Sequence, residues 1–290
     1  MKTITILSGK GGVGKSSISA SLAIAISRQK KIIVADCDVD ASNLALVFGI
    51  KENDYKEWEE ITTNQRPVFD LSKCDSCRKC FENCYFESIK WQDEKPELLE
   101  YSCEGCGMCE LICLQKAIKL RDVMNARIGY AETKYGFKIA LAQLEVGKSG
   151  SGKVVTEVKQ KATQLADNSD IMLIDSAAGI SCPVIASVTG SDYCLLITEP
   201  TPSSLSDMKK ALELVKHFNV PHGIVINKYD INKERSGEIE SFAKKNNIKL
   251  VGKLPYDKVF TEALVSMVPV IEKSGKLDVL FSRIAEQLLK

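Results

Sequence analysis

Two groups of residues in this chain have the types and spacing to do chemistry: a glycine-rich run near the start and eight cysteines in even groups further on. The run Gly9-Lys10-Gly11-Gly12-Val13-Gly14-Lys15-Ser16-Ser17 satisfies G-x-x-x-x-G-K-[ST]. In such a loop backbone N–H groups surround phosphates, the lysine (Lys15) reaches the outer ones, and the hydroxyl (Ser16) ligates Mg²⁺. The apolar run 3–7 predicts a strand feeding the loop. Apolar residues at Ile18, Leu22, Ala25 and Ile26 predict a helix over 14–28 leaving it. A plain glycine turn has no need of that context.

The cysteines form two matched sets. Cys74, Cys77, Cys80 and Cys84 recur 29 positions later as Cys103, Cys106, Cys109 and Cys113, and Ile89-Lys90 recurs as Ile118-Lys119. Each set is C-x₂-C-x₂-C-x₃-C, the spacing of a bacterial two-cluster ferredoxin, in which three thiolates face one cubane and the fourth reaches the other repeat's. On that pattern Cys74, Cys77, Cys80 and Cys113 hold one 4Fe-4S cluster, and Cys84, Cys103, Cys106 and Cys109 hold the second. Tyr85 and Leu114 stand where the pattern has proline. Structural zinc is the competing reading, since C-x₂-C pairs also serve it, but zinc gives no reason for three evenly spaced cysteines in each half. The expected module is an insertion over 67–123, its repeats covering about 65–94 and 95–123. Apolar residues are sparse in it, so bound metal has to supply much of its stability.

Around these groups the chain must build elements. Strands are expected over 31–35, 171–174, 193–198 and 223–226, and their continuous apolar runs imply a mostly parallel sheet covered by helices on both faces. Carboxylates at the C-terminal ends of such strands point into the ligand crevice. Asp36-Cys37-Asp38 follows the second strand and Asp175 follows 171–174; Cys37 reads as a buried thiol. Residues 128–143 alternate around Tyr135-Gly136, a hairpin signal, and 147–153 reads as a mobile loop before a helix over 154–165. A closing helix is expected over 277–289, and His217 and His222 are expected to be structural.

The loop K-G-G-V-G-K-S, with its extra lysine Lys10, resembles the deviant Walker A loop of the MinD/ParA superfamily of ATPases. The resemblance covers 1–66 and 124–290 and implies an α/β P-loop NTPase frame. It implies a homodimer formed on ATP binding, with Lys10 crossing to the partner's nucleotide as an arginine finger does. It further implies that Asp38 positions the attacking water, that Asp36 supports Mg²⁺ from the second shell, and that Asp175 holds Mg²⁺ in a Walker B strand. Ala177 replaces that motif's usual proline, and the turn at 199–204 is expected along the dimer face. Asn227 is expected to bond adenine beneath a base-covering loop containing Pro255 and Asp257. Asn227-Lys228-Tyr229-Asp230 also spells the guanine-reading motif N-K-x-D, and ATP is the preferred reading over GTP.

Relatives in the superfamily include the nitrogenase iron protein and iron–sulfur cluster carriers. The expected function is therefore ATP binding and hydrolysis coupled to electron transfer or metallocluster assembly with a redox or cluster-client protein. The alternative is a MinD-like spatial-organisation ATPase that uses the ferredoxin module for docking. Cys182 corresponds to a ligand of the bridging cluster in the nitrogenase iron protein. The place of the other ligand offers only Ser149 and Ser151, so Cys182 is expected to be buried against the switch helix.

Composition bounds the rest. The 290 residues carry a formal charge of +1 with both signs interspersed, which counts against a nucleic-acid partner. The first residues read as a strand rather than a leader, and no apolar run approaches ~18 residues. No membrane partner and a cytoplasmic location are expected. Eleven cysteines in a reducing compartment are ligands or buried thiols rather than disulfides.

Overall fold

The computed structural model describes residues 1–99, 101–145 and 152–290. The chain divides into two compact units. The first comprises Met1–Glu59, Ile128–Gln143 and Gly150–Lys290, and the second comprises Glu60–Arg127 and Leu144–Ser149.

In chain order, β1 (Lys2–Ser8), α1 (Lys15–Ser27), β2 (Ile32–Cys37), α2 (Leu44–Val47) and β3 (Lys56–Ile61) come first. The second unit carries β4 (Asn64–Phe69), α3 (Lys79–Glu82), β5 (Ile89–Gln92), β6 (Lys95–Leu98), α4 (Met108–Leu111) and β7 (Ile118–Val123). The chain resumes with β8 (Ala126–Glu132), β9 (Lys138–Leu144), α5 (Gly152–Gln164), β10 (Ile171–Ala178), α6 (Cys182–Val188) and β11 (Tyr193–Thr198). It ends with α7 (Pro202–His217), β12 (His222–Ile226), α8 (Lys233–Lys245), β13 (Lys249–Lys253), α9 (Val259–Val265) and α10 (Gly275–Leu289).

Among the described residues nine strands form one sheet in the order β13-β12-β11-β1-β10-β2-β9-β8-β3. Every pair from β13 to β9 is parallel. Because side chains alternate across a strand, the sheet feeds two cores. Ile4, Ile6, Leu195, Ile197 and Val225 pack with α1 and α10 on one face, while Leu7, Leu196, Ile224 and Ile226 pack with α6, α7 and α8 on the other. The helix after the glycine loop is buried almost all round, from Ser17 to Ile26, because α2 and α10 cover the side away from the sheet. Its sequence therefore shows little amphipathic pattern.

One element differs from expectation, and one carries no motif. β10 runs on through Asp175 to Ala178 rather than stopping at 174, since Asp175 pairs in register with Asp36 and Ser176 with Cys37. The polar stretch around Trp58 is an edge strand, β3, and the Trp58 ring lies against Gly129, where a Cβ would come within 2.8 Å of it. The segment 147–153 lies outside the described residues except for its last two.

In the second unit β4 and β7 pair antiparallel, Asn64 opposite Val123 and Phe69 opposite Ile118. A second hairpin joins β5 to β6. The duplication shows in the backbone: α3 and α4 occupy equivalent positions, as do the left-handed residues Ser76 and Gly105, Arg78 and Gly107, and Glu87 and Lys116.

Candidate functional site

β1 ends at Ser8 and the chain turns at once through the glycine loop. At Gly9 a Cβ would stand 2.2 Å from the backbone of Asp207, so the approach of α7 demands glycine there. At Gly14 the backbone is left-handed, φ 89°, and a Cβ would meet the Asn227 amide at 2.7 Å. The loop opens onto a cavity of about 470 Å³ lined by Gly11, Gly12, Gly14, Lys15, Ser16 and Ser17, with Asp38 and Ala178 facing them. Leu46, Val47, Leu264 and Met267 form an apolar wall. This is the size and character of a small-ligand site, at the C-terminal ends of the parallel strands. A larger cleft of about 630 Å³ lies at the opposite ends, beside Lys30–Ile33, and offers no such loop.

Lys15 is buried and bonds Asp175 Oδ1 at 2.9 Å, with Asp38 Oδ2 at 3.5 Å. Burial works against its ammonium, but Asp175 and then Asp38 overcome it, and its pKa is raised. Asp175 Oδ1 also accepts from Ser19 Oγ at 2.7 Å. Its Oδ2 is buried and meets no donor among the described residues. An orphaned carboxylate oxygen suits a hard divalent cation such as Mg²⁺, which takes oxygen ligands and keeps its waters.

Asp36 does not offer a free oxygen to that position. Oδ1 accepts from Asp38 N, and Oδ2 accepts from Ser42 Oγ at 2.7 Å and Leu44 N at 3.1 Å, so its work is to hold the turn that carries Asp38. Burial first, then the charge of Asp175, pushes the Asp36 carboxyl up to about 7. Burial also raises Asp38, against the pull of Lys15.

Lys10 is held within its own chain. Its Nζ lies 3.2 Å from Glu199 Oε1 and from Ser203 Oγ, and 3.5 Å from Thr201 Oγ1. The other Glu199 oxygen accepts from Lys228 at 2.9 Å. Burial works to raise the Glu199 carboxyl, and the hydrogen bonds of Lys228 and Lys10 outweigh it, leaving the pKa lowered. Asn227 is buried; its Nδ2 donates to Val13 O at 2.8 Å, so it braces the glycine loop. Asp257 accepts from Val259 N at the start of α9, and neither Asp257 nor Pro255 lines the cavity.

The second unit contains two cavities. Cys74, Cys77, Cys80 and Cys113 line one, and Cys84, Cys103, Cys106 and Cys109 line the other. Each draws its fourth cysteine from the opposite repeat. Sulfur acceptors are matched as well: Cys84 Sγ accepts from Ser88 N and Cys113 Sγ from Ala117 N, both at 3.3 Å. Among the described residues no three His, Cys, Asp or Glu side chains converge as a single metal ion requires. A cubane asks for a different arrangement, because each of its iron atoms takes one thiolate and the sulfurs stand apart around the cage. Four cysteines around a cavity are the donor set such a group needs.

Residues 4–270 match the family model of the CobQ/CobB/MinD/ParA nucleotide-binding domain. The chain belongs to this family. An uncharacterized protein of Methanocaldococcus jannaschii is 37% identical over 231 residues, 79% of each chain. The iron–sulfur cluster carrier protein of Pyrococcus abyssi is 24% identical over 92% of this chain and 78% of its own. Among solved structures, the septum site-determining protein MinD complexed with Mg-ADP from Pyrococcus horikoshii OT3 aligns over 99% of this chain and 95% of its own. Its TM-score is 0.62 at 20% identity, a likeness of fold.

Within this MinD/ParA frame several contributors have no mark in the motifs. Ser19 braces Asp175, and Leu264 and Met267 reach the cavity from a distant segment. Glu199 carried a usable signal, since a carboxylate directly after an apolar strand is the feature that singles out Asp36. Cys182 corrects an expectation: it is exposed at the first position of α6, where the chain enters the helix, rather than buried. Cys37 and Cys194 are buried, and burial pushes the Cys194 thiol up to about 12. Among the described residues no helix is long and apolar enough to cross a membrane.

Proposed function

We propose that the chain is an ATP-hydrolysing iron–sulfur protein whose nucleotide-driven dimerisation is coupled to electron transfer with a protein partner. The observation that carries this reading is the exchange of the fourth cysteine between repeats, which gives each cavity four thiols, in a chain that also has a P-loop crevice. Clusters bound at those cysteines supply one-electron redox chemistry. Four protein thiolates apiece make them residents rather than cargo.

On nucleotide binding, the N–H groups of the loop surround the phosphates. Lys15 leaves Asp175 and Asp38 for phosphate oxygens; Ser16 and the freed Asp175 would hold Mg²⁺, which would supply neutralisation of phosphate charge. Asp38 accepts a hydrogen bond from the attacking water, whose oxygen bonds the γ-phosphorus as the bond to the bridging oxygen breaks; the water proton leaves on inorganic phosphate, and ADP and phosphate depart. Lys10 must leave Glu199 before it can serve a second subunit's nucleotide. A second reading, delivery of clusters to a client, is favoured by the likeness to the iron–sulfur cluster carrier protein.

The test is made on protein prepared without oxygen. Lys15→Ala lowers ATP affinity by about 100-fold, as expected for a charge-assisted phosphate contact. Lys10→Ala keeps ATP binding but loses the ATP-dependent dimer and about 1,000-fold of hydrolysis. Equal loss of binding in both variants removes the special role of Lys10. The iron–sulfur half expects ~8 Fe per chain, from two cubanes, and zinc in place of iron overturns it. GTP competing better than ATP overturns the assignment of the base.

A further inference from the structure

The two cysteine cavities are alike in backbone and opposite in charge. Asp75, Arg78 and Lys79 line the first, so two cations face one carboxylate. The corresponding positions in the second are Glu104, Gly107 and Met108, which leaves one carboxylate and no cation among the described residues. Phe81 corresponds to Glu110, another acid, whose Oε1 accepts from Leu120 N at 3.3 Å.

Arg78 is the most informative difference. Its backbone is left-handed, φ 62°, where the second repeat uses Gly107 at 79°. Glycine adopts that conformation freely, whereas a residue with a Cβ does so against steric repulsion. The side chain shows what the strained position secures. The Arg78 guanidinium lies 5.6 Å from the Phe81 ring centre and 5.5 Å from that of Trp91, within cation–π range of both. Trp91 lines the same cavity. A permanent positive charge is thus fixed at the edge of the first cysteine set, where the one carboxylate, Asp75, accepts from Cys77 N and Gln115 Nε2.

We propose that Arg78, assisted by Lys79, is a redox-tuning residue that makes the site of Cys74, Cys77, Cys80 and Cys113 the more easily reduced of the two. The inference rests on the iron–sulfur reading above. One added electron makes a cluster one unit more negative, so a fixed cation favours the reduced form and a carboxylate disfavours it. An electron delivered by a one-electron donor to the second site passes to the first; the second is oxidised, the first reduced, and no bond or proton moves. The second site is thereby the entry and the first the resting place.

The experiment is a potentiometric titration of the full chain, reconstituted anaerobically with iron and sulfide and followed by the electron paramagnetic resonance of the reduced clusters. The wild-type protein gives two separate one-electron waves. Arg78→Gly, which installs the other repeat's residue and keeps the left-handed backbone accessible, lowers the upper wave and leaves the lower in place. Lys79→Gln moves the same wave in the same direction by less, and Glu104→Gln raises the lower one. With full iron content, a single unresolved wave in the wild type, or a lower wave that moves in both Arg78→Gly and Lys79→Gln, overturns the tuning role and leaves the iron–sulfur reading standing. A wild-type chain that takes up no iron overturns both.

Discussion

The P-loop frame and the cysteine unit solve the same problem, holding charged or reactive groups in place, by opposite means. In the frame the reactive charges are already partnered, the buried Lys15 against Asp175 and the half-buried Lys10 against Glu199, and an apolar core lies on each face of the sheet behind them. In the cysteine unit the buried apolar residues are few, among them Ile89, Ala117 and Ile118, while Tyr85, Leu111 and Leu114 are 89%, 81% and 78% exposed. The frame can fold and wait for its ligand. The cysteine unit, on the proposed iron–sulfur reading, is completed by one.

The largest expected effect follows directly. On the proposed iron–sulfur reading, removing iron from the native protein with a chelator under reducing conditions should unfold the cysteine unit, because metal–thiolate bonds would replace a core it lacks. Limited proteolysis then cuts within 60–127, and the frame keeps its cooperative melting transition and its ATP-induced stabilisation. A chelated chain as protease-resistant as the loaded one would erase the contrast.

From the other side, Phe281→Ala empties a fully buried position of α10 in the frame. It should cost about 3–5 kcal/mol of stability, by the usual penalty for a large cavity, read as a lower melting midpoint with iron per chain unchanged. Loss of iron along with stability would mean that the two units do not stand independently.

The smallest effect is the most local. Gly105 has φ 68°, and a Cβ there would sit 2.4 Å from Gln65 O, so Gly105→Ala displaces the loop between Cys103 and Cys106. Strain of about 1–3 kcal/mol is expected there, with iron falling toward about half because one of two cubanes is affected. ATP binding should not change.

What the sequence made legible was whatever is local. The glycine loop, the carboxylate Asp175 and the cysteine spacing each declare themselves within a few residues, because the ligand they suit needs close-set groups. The long-range features stayed hidden. Leu264 and Met267 reach the crevice from a segment whose residues look like any helix end, and Lys10 meets Glu199 from 189 positions away. α1 was legible from its apolar spacing even though the helix is enclosed rather than one-sided, whereas β3 was not, because an edge strand rich in Glu shows few apolar residues. Cys182 was expected to be core because the place of a second bridging ligand offers only serines, yet it begins a helix in the open.

The pairing of β4 with β7 bears on the timing of synthesis. Asn64 stands opposite Val123, so every contact of that small sheet is available once the ribosome has passed those residues. β1, by contrast, lies between β10 and β11, and cannot be paired before residues 171–178 and 193–198 exist. The central strand of the frame is the first made and among the last to find its neighbours. A nascent chain therefore holds all eight cysteines of the two sets and the β4–β7 pair before the later strands of its nucleotide site exist, and under the proposed iron–sulfur reading metal can reach the chain before ATP can.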